Sequence, residues 1–199
     1  MTNSIKIGIL SFQGGVTEHI NATKEAANEL KLDCEVVLVK YKGQFDDLNG
    51  LIIPGGESTV LHKLCEREGM MNEIKKIKNI FGTCAGAIML AKGMKSGLPD
   101  QKTLELMDIE LDRNAYGPQT ESFEQDAECN LGKFHAIFIR APKITKVGKN
   151  IGVIARLNGE IIACEQKSDG DYYLATTFHP ELTTTKIHAH FLRQCITKG

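Results

Sequence analysis

Of six cysteines, Cys84 alone sits where sulfur could act as a nucleophile. Gly82-Thr83-Cys84-Ala85-Gly86 lies between a short β-rich run, Lys78 to Phe81, and a helical pattern over Ala87 to Lys92. This is the nucleophile-elbow pattern with sulfur in place of a serine oxygen. Glycines two residues before and after the nucleophile let strand and helix approach without Cβ clashes. The turn lifts the side chain to the C-terminal edge of a sheet. A helix N-terminus adds partial positive charge and free N–H groups, which favour an anionic sulfur and later an oxyanion. The N–H of Ala85 is the natural first oxyanion donor. Alone, the pattern fits a buried structural cysteine about as well.

Phe178-His179-Pro180-Glu181 shifts that balance. A histidine directly after a strand-like run, followed by Pro and an acid, offers a base and an orienting carboxylate at one sheet edge. His179 would take the thiol proton and return it to a leaving group. Glu181 would hold the imidazole tautomer and stabilise the imidazolium. A third segment, Pro54-Gly55-Gly56-Glu57-Ser58-Thr59, again joins strand to helix. Its glycines bring the backbone close to a ligand, and Gly56 N–H is a fair second oxyanion donor. A plain turn with a Ser/Thr helix cap is the alternative. No Gly-Lys-Ser/Thr follows, which argues against a phosphate loop.

The elements that must position these residues alternate. Strands are expected over Ile5 to Leu10, Glu35 to Val39, Leu51 to Ile53 and Lys78 to Phe81, with helices over Thr17 to Leu32 and Glu57 to Glu68. That order gives βαβ units and a mostly parallel sheet. Gly93 to Glu128 is polar and punctuated by Gly and Pro. Strands resume at Phe134 to Arg140 and Tyr172 to Phe178. Ile151 to Leu157 and Glu160 to Gln166 flank Asn158-Gly159, a type I′ hairpin signal. Lys186 to Cys195 closes as a helix. With no repeat or linker, residues 1–199 read as a single domain.

The 199 residues suffice for a substantial core, and the 42% apolar and 25% charged composition is that of a soluble globular protein. A net charge of −1 gives no electrostatic reason for nucleic acid or an acidic membrane as partner. No apolar stretch approaches a membrane span or a secretion signal, so the cytoplasm and free thiols are expected. His188 and His190, two apart on a helix, make a poor metal pair, and no metal or cofactor is expected. His19, His62 and His135 are expected to be solvated or structurally satisfied.

The three segments, in this order, resemble the class I, triad-type glutamine amidotransferases. With Leu10-Ser11-Phe12-Gln13-Gly14, Arg113-Asn114-Ala115-Tyr116-Gly117 and Phe138-Ile139-Arg140-Ala141-Pro142, the chain is similar to the glutaminase subunits of pyridoxal 5′-phosphate synthases. The resemblance implies a flavodoxin-like, three-layer αβα sandwich. It implies hydrolysis of L-glutamine through a thioester, with ammonia delivered to a separate synthase subunit in a hetero-oligomeric complex. It implies a triad of Cys84, His179 and Glu181, and glutamine binding by Gly56, Glu57, Ser58, Arg113, Ile139 and Arg140. Gln13 matches a position that contacts the synthase. Arg113 and Arg140 suit the α-carboxylate of glutamine, and Glu57 its α-amino group. Pro118 departs from the family pattern, which has Arg there, and removes one charge and one N–H.

Two other classes compete. A cysteine peptidase or stress-type hydrolase would share the elbow but need not carry His179 and Glu181 at this spacing. A silent binding module needs no intact triad.

Overall fold

The protein, a computed structural model, is described over residues 4–97, 100–113 and 122–196. Its centre is a parallel block built from β1 (Ser4–Leu10), β2 (Asp33–Val39), β3 (Gly50–Ile53), β4 (Asn79–Thr83) and β12 (Asp171–Thr176), in the order β2-β1-β3-β4-β12. Ile5, Ile7, Ile9 and Leu10 of β1 and all of β3 are buried. Such near-continuous apolar strands are covered on both faces.

The covers are helices. One face packs Ile9, Ile52, Phe81 and Leu174 against α1 (Val16–Glu29) and α5 (Lys186–Cys195). The other packs Leu51, Ile53 and Ile80 against α2 (Ser58–Arg67) and α4 (Ala85–Leu90). Successive side chains of a strand point to opposite faces, so neighbours such as Ile52 and Ile53 feed different cores. The result is the expected three layers. A single turn of helix, α3 (Met71–Ile74), precedes β4.

Beyond β12 the sheet turns antiparallel through β11 (Glu160–Ser168), β10 (Ile151–Leu157), β7 (Phe123–Cys129) and β8 (Gly132–Phe138). Four of the eight adjacent pairs are parallel and four antiparallel. The sheet is therefore mixed rather than mostly parallel, because the second half of the chain is joined by hairpins and not by helices. The Asn158-Gly159 turn is as expected: both residues have positive φ, 50° and 84°, and Leu157 pairs with Glu160.

The polar stretch from Gly93 carries more structure than its composition suggests. It holds most of β5 (Ala91–Lys95) and all of β6 (Met107–Asp112), which with β9 (Lys143–Val147) form a second, three-stranded sheet. Met107, Ile109 and Leu111 alternate inward along β6. Two boundaries matter for chemistry. β4 runs on to Thr83 and α4 starts at Ala85, so Cys84 alone joins them.

Candidate active site

Cys84 is the hinge between β4 and α4, with φ 49° and ψ −103°, a conformation rarely adopted outside glycine. The turn is held from both sides. Cys84 N–H donates to Thr176 O at 2.8 Å, and Ile88 N–H donates to Cys84 O at 3.2 Å. The flanking glycines are demanded by contact. A Cβ on Gly82 would lie 2.5 Å from the backbone of Gly86, and one on Gly86 would lie 2.0 Å from Ile53 O. Strand, turn and helix are in backbone contact, and any side chain there would drive them apart.

His179 follows β12 through two linking residues, and its N–H donates to Ile137 O at 2.9 Å, which ties the strand end to β8. The 3₁₀ turn Pro180–Leu182 then brings Glu181 round. His179 Nδ1 lies 2.7 Å from Glu181 Oε1, with both side chains buried. The other side of the imidazole faces Cys84. Gly55 separates nothing here: a Cβ on it would meet His179 Cε1 at 2.5 Å and Cys84 Cβ at 3.3 Å. Burial opposes charge on His179, but hydrogen bonds to Cys84 and Glu181 outweigh it and push the imidazole up to about 10.

These residues open onto a cavity of about 920 Å³ whose wall includes Gly56, Glu57, Ser58, Cys84, Ala85, Arg113, Ile139, Arg140, His179 and Glu181. Every site residue expected from the sequence lies there except Gln13. Gln13 instead braces the loop from outside: its Nε2 donates to Glu57 O at 2.6 Å, and it packs against Gly56, whose φ is 125°. Ala85, first residue of its helix, has no carbonyl one turn earlier to receive its N–H.

Several polar groups of this wall are paired with one another. Glu57 caps α2, accepting from Thr59 N–H at 3.1 Å and Val60 N–H at 2.7 Å, and forms an ion pair with Arg113. Burial alone would raise its carboxyl; those backbone N–H groups and Arg113 hold it below the ordinary value. Arg113 also donates to Thr59 Oγ1 at 2.8 Å and to Gln101 Oε1 at 3.2 Å. Ser58 Oγ accepts from Gln101 Nε2 at 2.9 Å. Gln101 thus organises Ser58, Thr59 and Arg113 at once, and nothing in its sequence neighbourhood marks it. Arg140, by contrast, makes no ion pair among the described residues. It is exposed and holds φ 47° just past the end of β8. The carbonyl of Ile139, between them, accepts from Cys84 Sγ–H at 3.8 Å.

The remaining histidines divide. His62 is buried, 3.9 Å from Glu66, and His135 lies in the open between Asp126 and Glu124. His188 and His190 diverge as expected, the first into the core and the second to Glu165 at 2.8 Å. His19 is buried behind Glu181, a placement the sequence did not signal. All six cysteines are unbridged. Asn114 to Gly117 and Pro118 lie outside the described residues.

A family model for the SNO glutamine amidotransferases matches residues 9–197. Pyridoxal 5′-phosphate synthase subunit PdxT of Pyrococcus horikoshii is 40% identical over 200 residues, covering 96% of this chain and all of the relative. The protein of the same name from Methanococcoides burtonii is 43% identical over 197 residues, covering 94% and 98%. A crystal structure of a glutamine amidotransferase superposes with a TM-score of 0.80 at 40% identity, covering 95% of this chain and 98% of the other.

Proposed function

The chain belongs to the SNO glutamine amidotransferase family, and we propose that Cys84, His179 and Glu181 are the residues through which it works. It is a glutaminase subunit of pyridoxal 5′-phosphate synthase, hydrolysing glutamine to supply ammonia for vitamin B6 synthesis. The observation that carries the assignment of residues is the ordered chain from Cys84 to His179 to Glu181 on one cavity wall.

Cys84 passes its thiol proton to His179 as its sulfur attacks the side-chain amide carbon of glutamine, and the carbonyl electron pair moves to oxygen. Ala85 N–H and Gly56 N–H receive that oxyanion. His179 gives its proton to the amide nitrogen, the C–N bond breaks, and ammonia leaves a γ-glutamyl thioester. Now neutral, His179 takes a proton from water as the water oxygen adds to the thioester carbon. Collapse breaks the C–S bond, releases glutamate and returns the proton to the Cys84–His179 pair. Glu181 holds the imidazole throughout.

On the substrate side, Arg140 receives the α-carboxylate, and Glu57 and Arg113 open their mutual pair to take the α-amino group and share the carboxylate. Ser58 and Ile139 complete the wall. Residues 1–199 act as one glutaminase domain that docks a separate synthase subunit in a hetero-oligomer, in the cytoplasm, without nucleic acid or membrane. Among the described residues no helix is long and apolar enough to cross a membrane. Gln13 stands at that interface, where docking would act on Gly56 through the Gln13–Glu57 bond.

The experiment is glutamine hydrolysis with and without the synthase subunit, comparing the wild type with Cys84→Ala. Activity that the synthase raises and Cys84→Ala removes is expected.

A further inference from the structure

The triad uses one oxygen of Glu181. The other, Oε2, is buried and makes no hydrogen bond among the described residues. A bare buried carboxylate oxygen is expensive unless a donor faces it. One group does: His19 Nε2, on α1, lies 3.5 Å away, with both side chains almost wholly buried. The same nitrogen lies 3.1 Å from Thr83 Oγ1, one residue before the nucleophile. On its far side, His19 Nδ1 lies 2.9 Å from His188 Nε2 on α5. The pair packs against Phe81, with ring centroids 6.0 and 5.4 Å away.

Only two proton arrangements satisfy the His19–His188 contact when both rings are neutral. If His19 Nδ1–H donated, its Nε2 lone pair would face Glu181, and His188 would bury an N–H on Nδ1, which has no hydrogen-bond partner among the described residues. If His188 Nε2–H donates, the orphan is a lone pair, and His19 Nε2 carries its proton toward Thr83 and Glu181. Buried N–H groups without acceptors are rarer than under-used acceptors. The second arrangement is favoured at both ends.

We propose that His19 is a positioning residue for the triad, its Nε2–H fixed by His188 and aimed at the second carboxylate oxygen of Glu181. Neutrality is part of the role. Burial above all holds His19 well below its ordinary pKa, and burial brings His188 down to about 3. His19 therefore orients the carboxylate without competing as a second cation, and Glu181 keeps its charge for His179. The helix pair α1 and α5 thereby braces the site from behind the sheet.

The inference rests on the triad reading, so the experiment separates the two. Histidine-selective ¹⁵N NMR of the full wild-type chain reads the tautomers without any assay of activity. His19 and His188 should both be neutral and protonated on Nε2 at pH 7; protonation of both on Nδ1, or of either ring on both nitrogens, overturns the inference. Glutamine hydrolysis with the synthase subunit present supplies the second arm. His19→Leu should lower kcat by about 10- to 100-fold, the scale of leaving a buried carboxylate oxygen with no donor facing it, with KM unchanged. His19→Gln, which keeps an N–H near the Nε2 position, should recover most of it. An unchanged kcat in folded His19→Leu, or equal losses in both variants, overturns the inference while Cys84-dependent hydrolysis stands. Hydrolysis that survives Cys84→Ala would instead remove the triad reading, and the inference with it.

Discussion

His179 and Glu181 are two residues apart, yet their side chains meet at 2.7 Å between Nδ1 and Oε1. Pro180 opens the 3₁₀ turn that makes this possible, and His179 is its N-cap residue. The pairing leaves Nε2 as the ring nitrogen turned toward Cys84. Replacing Glu181 by Gln keeps the shape but permits the wrong tautomer. On the order of 10⁴ in kcat should be lost, with KM for glutamine little changed, as steady-state kinetics with the synthase subunit would show.

The elbow should be intolerant of small additions. Gly86→Ala places a methyl 2.0 Å from Ile53 O, and Gly82→Ala places one 2.5 Å from the Gly86 backbone. Neither neighbour is a side chain that can swing away. Each variant should lose about 1–3 kcal/mol or more in urea unfolding. Gly43→Ala, with nothing within 4 Å of the new methyl, should not.

The two arginines should differ. Arg140→Ala removes a cation that has no ion pair among the described residues, so its cost should fall on glutamine. KM should rise about tenfold or more, with unfolding unaffected. Arg113→Ala should raise KM and also lower stability, because it frees Thr59, Gln101 and Glu57 together. An unchanged KM in Arg113→Ala would count against its carboxylate role.

The charge state of His179 gives a pH signature. Its folded-state pKa, about 10, lies above the ordinary 6.5 because Cys84 and Glu181 more than offset burial. A raised pKa stabilises the fold fully below the unfolded value and loses that contribution as pH climbs through the folded value. Unfolding free energy should therefore decline between about pH 6.5 and 10. In Cys84→Ala, which removes one raising partner, the decline should shrink and end at a lower pH.

Much of this site was legible because its signals are local. The elbow glycines, Gly55-Gly56 and His179-Pro180-Glu181 each specify a backbone event within five residues, and each occurs where expected. α4 starts two residues before its sequence pattern does, since Ala85 and Gly86 carry no helical pattern of their own. β6 was hidden in a polar stretch although Met107, Ile109 and Leu111 alternate. β5 was hidden more deeply, running on from α4 at Ala91 with no break. The mixed sheet could not be told from strand content, because parallel or antiparallel pairing depends on connections. Gln101 and His19 were illegible for a different reason. Their partners, Ser58 and Arg113 for one and Glu181, Thr83 and His188 for the other, are distant in sequence and meet only through the sheet.

Rapid quenching of the wild type with glutamine and the synthase subunit, followed by peptide mass analysis, tests Cys84 as the nucleophile. A γ-glutamyl adduct should be found on the peptide containing Cys84, forming and decaying at rates consistent with ammonia release. It should be absent from Cys84→Ala. Ammonia released at the full rate with no adduct on Cys84, or with an adduct on another residue, would rule Cys84 out as the nucleophile.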